Sequence, residues 1–114
     1  MKVNVYCVRD IMKEIQLTPG SVVPIFKIKS LEYPLETLQN AYQELINQNY
    51  VTANFDNDGN PISIKKDVKG KGGYLLHFAA RKDLFKKLEP IINEKGEYMT
   101  LDELYNSILN QKYL

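Results

Sequence analysis

Eight cationic side chains fall within twenty-three residues: Lys65, Lys66, Lys69, Lys71, Arg81, Lys82, Lys86 and Lys87. Lysines grouped this way can neutralise the backbone phosphates of duplex DNA, a contact that positions a protein without reading sequence. Binding of that kind is weak and salt-sensitive, and these eight are the candidate nucleic-acid contacts. A solvated basic surface accounts for the same residues equally well; read as function, they make the chain a nucleic-acid-binding regulatory or accessory protein acting through a basic wing, with a protein-interaction module as the alternative. A second group has the opposite character. Glu36, Asn40, Gln43, Glu44 and Asn47 share one face at helical spacing. The three amides can pair with adenine edges in a major groove. Glu36 and Glu44 would repel phosphate, however, and no Lys or Arg occurs from residue 30 to 64. That face suits a protein partner with a basic surface: a host protein that it inhibits, or a second copy of the chain in a homodimer.

The other reactive side chains have structural explanations. His77 is the only histidine and lies among Leu75, Leu76, Phe78 and Ala79, which predicts a hydrogen-bonded structural role rather than a catalytic base. Cys7, the only cysteine, sits at the edge of an apolar stripe one turn before Ile11, as a small buried hydrophobe would. Asp56, Asp58 and Gly59 faintly resemble a calcium loop, but the glycine is misplaced and no glutamate closes the loop, so a turn is expected. Lys69-Gly70-Lys71-Gly72-Gly73 has the composition of a phosphate-binding loop without its spacing, and reads as a mobile basic wing. Glu94, Glu97, Asp102 and Glu103 suit helix ends, where acids are favoured. The expectation is a non-enzymatic protein with no catalytic residue, no metal and no cofactor.

These groups must be positioned by a small set of elements. Val5, Val8, Ile11, Met12 and Ile15 predict a helix over about 5–16, stopped by Thr18-Pro19-Gly20. Residues 22–28 are β-branched and aromatic, as in a short strand weakened by Pro24. Pro34 then opens a helix that carries Leu35, Leu38, Ala41, Tyr42, Leu45 and Ile46 on one face. A hairpin follows, with strands at 50–55 and 62–64 around the turn residues 56–61. Residues 73–78 fit either a strand or the lead into a helix. Leu84, Phe85, Leu88, Ile91 and Ile92 predict a helix over about 81–95 that Pro90 kinks or splits. Thr100 and Glu103 have capping-box spacing, opening a last helix that buries Leu101, Leu104, Tyr105 and Ile108.

With 114 residues, 44% of them apolar and 25% charged, the chain is the size and composition of one globular domain. A single cysteine excludes an intrachain disulfide and a multi-cysteine zinc site, and a reducing cytoplasm is the expected compartment. No apolar run approaches the ~20 residues of a membrane span, and the N-terminus has no signal-peptide core. The net charge of +1 conceals strong segregation: residues 1–29 carry +3, 30–64 carry −5, 65–87 carry +6 and 88–114 carry −3.

Met1-Lys2-Val3-Asn4 followed by Cys7-Val8-Arg9-Asp10-Ile11 resembles the opening of a family of small proteins of Gram-positive bacteria and their phages. Its members carry a winged-helix-like domain of unknown function. Leu38 to Val51 is similar to that family's second helix entering its wing, so the resemblance covers about residues 1–64. The family's usual Leu-Thr, Gly-His, Phe-Leu continuation is absent here. The resemblance implies a winged-helix fold and a phage or prophage setting. Together these readings predict an α+β chain forming one domain: a winged-helix-like core and wing over 1–68 and a helical extension over 74–114. In it, one of the three core helices is missing or reduced to the turn at 29–33.

Overall fold

The structure, a computed structural model, describes residues 1–111. Asn4 opens its first helix by accepting the Cys7 backbone N–H on its side-chain oxygen at 3.0 Å, the capping contact of an N-cap asparagine. The helix α1 (Val5–Leu17) buries Val5, Cys7, Val8, Ile11, Met12 and Ile15, the stripe that the periodicity predicts. It ends where the Thr18 hydroxyl and backbone N–H both turn back to Glu14. Two residues ahead of the helix, β1 (Val3–Asn4), pair antiparallel with β5 (Tyr98–Met99), Val3 opposite Met99. A two-residue strand has no periodicity to betray it, and the sequence reading has no counterpart to this pair.

After β2 (Val22–Pro24) the chain departs from the expected strand over 22–28 and turns into a short helix, α2 (Ile25–Lys29). Pro24 supplies the fixed φ that precedes the helix, and Ile25 and Ile28, three apart, both reach the core. The core therefore has a further helix before 29–33 rather than only a turn there. Next comes α3 (Leu35–Asn47), burying Leu38, Ala41, Tyr42 and Leu45. The hairpin strands are β3 (Ala53–Phe55) and β4 (Pro61–Lys65), and the sheet order is β2-β4-β3, antiparallel throughout. Asp56 holds the turn by accepting the Asp58 and Asn60 N–H groups at 2.9 Å each, so these residues build a turn, as expected.

Residues left open between strand and helix belong to α4 (Gly70–Ala80), which lies along α1. The lysine–glycine stretch is thus the first turn of a packed helix and not a mobile wing. Gly72 explains why: a Cβ there would stand 1.7 Å from the backbone oxygen of Tyr50, so the helix rests directly on that peptide. The stretch 81–95 splits, as Pro90 demands, into α5 (Lys82–Phe85), a 3₁₀ turn (Lys86–Leu88) and α6 (Glu89–Lys95), with Pro90 in the first turn of α6. The last helix is α7 (Leu101–Gln111). Its capping box is complete: Glu103 N–H donates to the Thr100 hydroxyl at 3.1 Å, and Thr100 N–H to the Glu103 carboxylate at 3.2 Å. The result is an α+β fold with one continuous core drawn from both halves of the chain.

Polar contacts tie the elements around α1. The Arg9 guanidinium donates to Asp10 and lies 5.1 Å and 5.2 Å from the ring centres of Tyr6 and Phe85. Tyr33, in the loop before α3, donates its hydroxyl to Asp10 at 2.5 Å. Burial acts to raise the Asp10 carboxyl, but the Arg9 and Tyr33 hydrogen bonds outweigh it and hold the group below its ordinary value of 3.8. Asp10 stabilises the fold above its unfolded-state pKa, and this contribution disappears as pH falls through the lower folded value. Asp10→Asn is expected to be less stable than the parent at neutral pH, the gap closing as urea midpoints are measured down to pH 3. A gap constant with pH would show that the carboxylate charge plays no part.

Gly72→Ala is expected to lose at least about 3 kcal/mol, since its methyl must displace backbone rather than a movable side chain. Urea unfolding measures this directly. An unchanged midpoint would mean that α4 does not rest on the Tyr50 carbonyl.

Candidate interaction faces

The structure disperses the eight predicted bases into two groups. Three are engaged within the fold. Lys66 donates its ammonium to the Thr18 carbonyl. Lys71 sits 4.4 Å from the ring centre of Tyr50. Arg81 pairs with Asp83 at 3.0 Å. The other five, Lys65, Lys69, Lys82, Lys86 and Lys87, are exposed and form no ion pair among the described residues. Lys65 ends β4, Lys69 precedes α4, and Lys82, Lys86 and Lys87 lie on α5 and the 3₁₀ turn. The tip of the hairpin, by contrast, carries Asp56 and Asp58 beside exposed Phe55 and Ile62. The hairpin is therefore basic only at its base, and the expected basic wing is not what the strands present.

The acidic, amide-rich group assembles on α3 as the spacing predicts. Glu36, Gln43 and Asn47 are exposed, while Asn40 and Glu44 are half-buried. Glu44 lies 3.9 Å from the N-terminal ammonium, too far for a strong contact. Leu35, at the head of the same helix, is also exposed.

His77 departs from expectation. Leu75, Phe78 and Ala79 form the buried side of α4, which leaves position 77 on the solvent side, exposed and without a hydrogen bond among the described residues. The apolar neighbours in sequence misled because a helix sends consecutive residues in different directions. His77 instead lines a groove of about 780 Å³ between α4, α5 and α7, together with Lys69 and Lys87. Val68, Phe78, Leu84, Ile108 and Leu109 form its apolar wall. No sequence motif marks it, since its residues come from three separate stretches of the chain, 68–78, 84–87 and 108–111.

Cys7 is buried, its sulfur 3.9 Å from the Thr37 carbonyl. Burial, aided by the Asp10 charge, pushes the thiol up to about 12. It is therefore protonated at neutral pH and unsuited to nucleophilic chemistry. Among the described residues, no group of three His, Cys, Asp or Glu side chains could hold a metal ion, and no helix is long and apolar enough to cross a membrane.

Comparisons with family models, with curated proteins and with solved structures find no match for the chain.

The thiol offers a direct check on the packing of α1. A thiol reagent should label Cys7 slowly in native protein and rapidly in denaturant. Rapid labelling of the folded chain would mean that α1 does not bury this edge.

Proposed function

We propose that the chain is a non-enzymatic winged-helix-type protein of phage or prophage character that serves as a protein-interaction module. Its acidic α3 face docks on a basic protein surface, and a second copy of the chain provides one. The order of elements supports the fold reading. Helix, strand, two helices and a hairpin occur in the winged-helix sequence, and β2 pairs with β4, as the first strand of a winged helix pairs with the last. The phage setting rests on the resemblance of residues 1–64.

The observation that carries the functional reading is the charge on α3 and the hairpin. Those are the two elements with which a winged helix meets DNA. Here the whole stretch 30–64 lacks Lys and Arg, and Glu36, Glu44, Asp56 and Asp58 lie on those elements. Placed against a duplex they would oppose the phosphates. Placed against a protein, acids and amides beside exposed Leu35, Phe55 and Ile62 make an ordinary mixed interface that prefers a basic partner. Lys82 of α5 and Lys86 of the 3₁₀ turn supply that surface in a neighbouring copy, and a two-fold dimer uses each pairing twice.

A second reading, weak and salt-sensitive binding of duplex DNA, is favoured by the five exposed lysines that form no ion pair among the described residues. One set of charge reversals separates the two. Sedimentation equilibrium at high protein concentration and low ionic strength should report twice the chain mass of 13.2 kDa. In ~0.5 M salt, where screening acts over roughly 4 Å, it should report one chain. Glu36→Lys with Glu44→Lys, or Lys82→Glu with Lys86→Glu, should each give monomers at low salt, and mixing the two variants should restore association. Glu36, Lys82 and Lys86 are exposed, so their reversal should cost little stability, and an unchanged far-ultraviolet circular dichroism spectrum checks that half-buried Glu44 tolerates lysine. A chain that stays monomeric at low salt overturns the docking reading. Retardation of random duplex DNA that the lysine reversals abolish and the glutamate reversals do not weaken would put the DNA reading in its place.

A further inference from the structure

The groove between α4, α5 and α7 has no part in that docking, and its lining has a chemistry of its own. We propose that it is a binding site for a single-chain anionic amphiphile, a long-chain carboxylate whose tail lies along the apolar wall and whose head meets Lys69 and Lys87.

Size comes first. The groove's volume of about 780 Å³ falls within the ~300–1,000 Å³ of typical small-molecule sites. Its wall is apolar: Phe78 from α4, Leu84 from α5, and Ile108 and Leu109 from α7. Phe78 and Ile108 are buried members of the core, so this wall is held in place by the fold rather than assembled on binding. Water against such a wall is readily displaced by a hydrocarbon chain, at roughly 25 cal/mol per Å² covered.

Charge selects the head group. Lys69 and Lys87, far apart in sequence, both line the groove and are both exposed. Among the described residues no Asp or Glu lines the groove, and neither lysine forms an ion pair. Two cations beside an apolar wall complement a ligand that is anionic at one end and apolar along its length. A neutral lipid would leave the lysines unanswered, a cationic one would be repelled, and a bare inorganic anion would leave the wall wet. Exposed His77 adds a third polar group at the same place.

Titration calorimetry with dodecanoate, below its micelle concentration, tests the proposal. One saturable site is expected per chain, with 1-dodecanol at least tenfold weaker and dodecyltrimethylammonium not bound. Lys69→Gln and Lys87→Gln should each weaken dodecanoate about tenfold, the loss of one charge-assisted contact. Lys82→Gln, outside the groove, should bind as the parent does. Leu109→Trp should fill the groove and abolish binding. If that variant fails to fold, the lysine variants, exposed and structurally neutral, still decide. Absence of saturable binding, equal affinity for dodecanol, or parental affinity in both glutamine variants overturns the proposal. Because Lys82 and Lys86 lie outside the groove, self-association and amphiphile binding can fail independently.

Discussion

The carbonyl oxygen of Tyr50 occupies the space that a side chain at residue 72 would need. Only glycine allows α4 to settle on that peptide, and much of the fold follows from the contact. The Tyr50 N–H donates back to Leu45 at the end of α3, after Asn49 has taken the left-handed conformation, φ 61°, that turns the chain. Its ring carries the Lys71 ammonium on one side and meets Tyr105 of α7 edge-on, centres 6.1 Å apart. Its hydroxyl donates to Asp102 at 2.8 Å, and burial together with that hydrogen bond pushes the phenol well above its ordinary range. One residue thus ties the end of α3, the start of α4 and the face of α7.

With α4 fixed there, α1 becomes the shared wall of the molecule. It packs on α3 and on α4 and buries six residues in the core between them and the sheet. Charge is segregated among the same elements. The acid-only stretch 30–64 becomes α3 and the hairpin, whereas the bases of 65–87 lie beyond the hairpin, at the start of α4 and on α5. Folding consumes part of this basic run, since Lys66, Lys71 and Arg81 each satisfy a group nearby. What is left over is a smaller set of exposed lysines divided between an open surface and a groove.

That division matters for how the basic block is understood. As a list of residues it resembles a single phosphate-binding strip. As a surface it comprises Lys65 at the sheet, Lys82 and Lys86 on an outer turn, and Lys69 and Lys87 beside an apolar wall. These are different chemical environments, and the same ammonium group favours a different ligand in each.

Much of the local structure could be read from the chain. The stripes of α1, α3 and α7, the turn at Asp56, the break at Pro90 and the Thr100–Glu103 cap are all short-range patterns, and each appears where the residues predict it. Patterns this local depend on backbone geometry within one or two turns, which neighbouring residues largely determine. The elements that escaped were those without such a pattern. The pair β1–β5 joins residues 3 and 99 through a few backbone hydrogen bonds, and α2 is too short to show a period. Gly70–Gly73 would be loop by propensity and is helix because Tyr50 accepts it there. The groove belongs to the same class. Leu84 and Ile108 each read as core in isolation, and only the crossing of α4 with α7 leaves a space beside them. Residue types and spacing determined the helices and their faces; close approach between distant segments decided which of those faces meet, because packing depends on where backbones can touch.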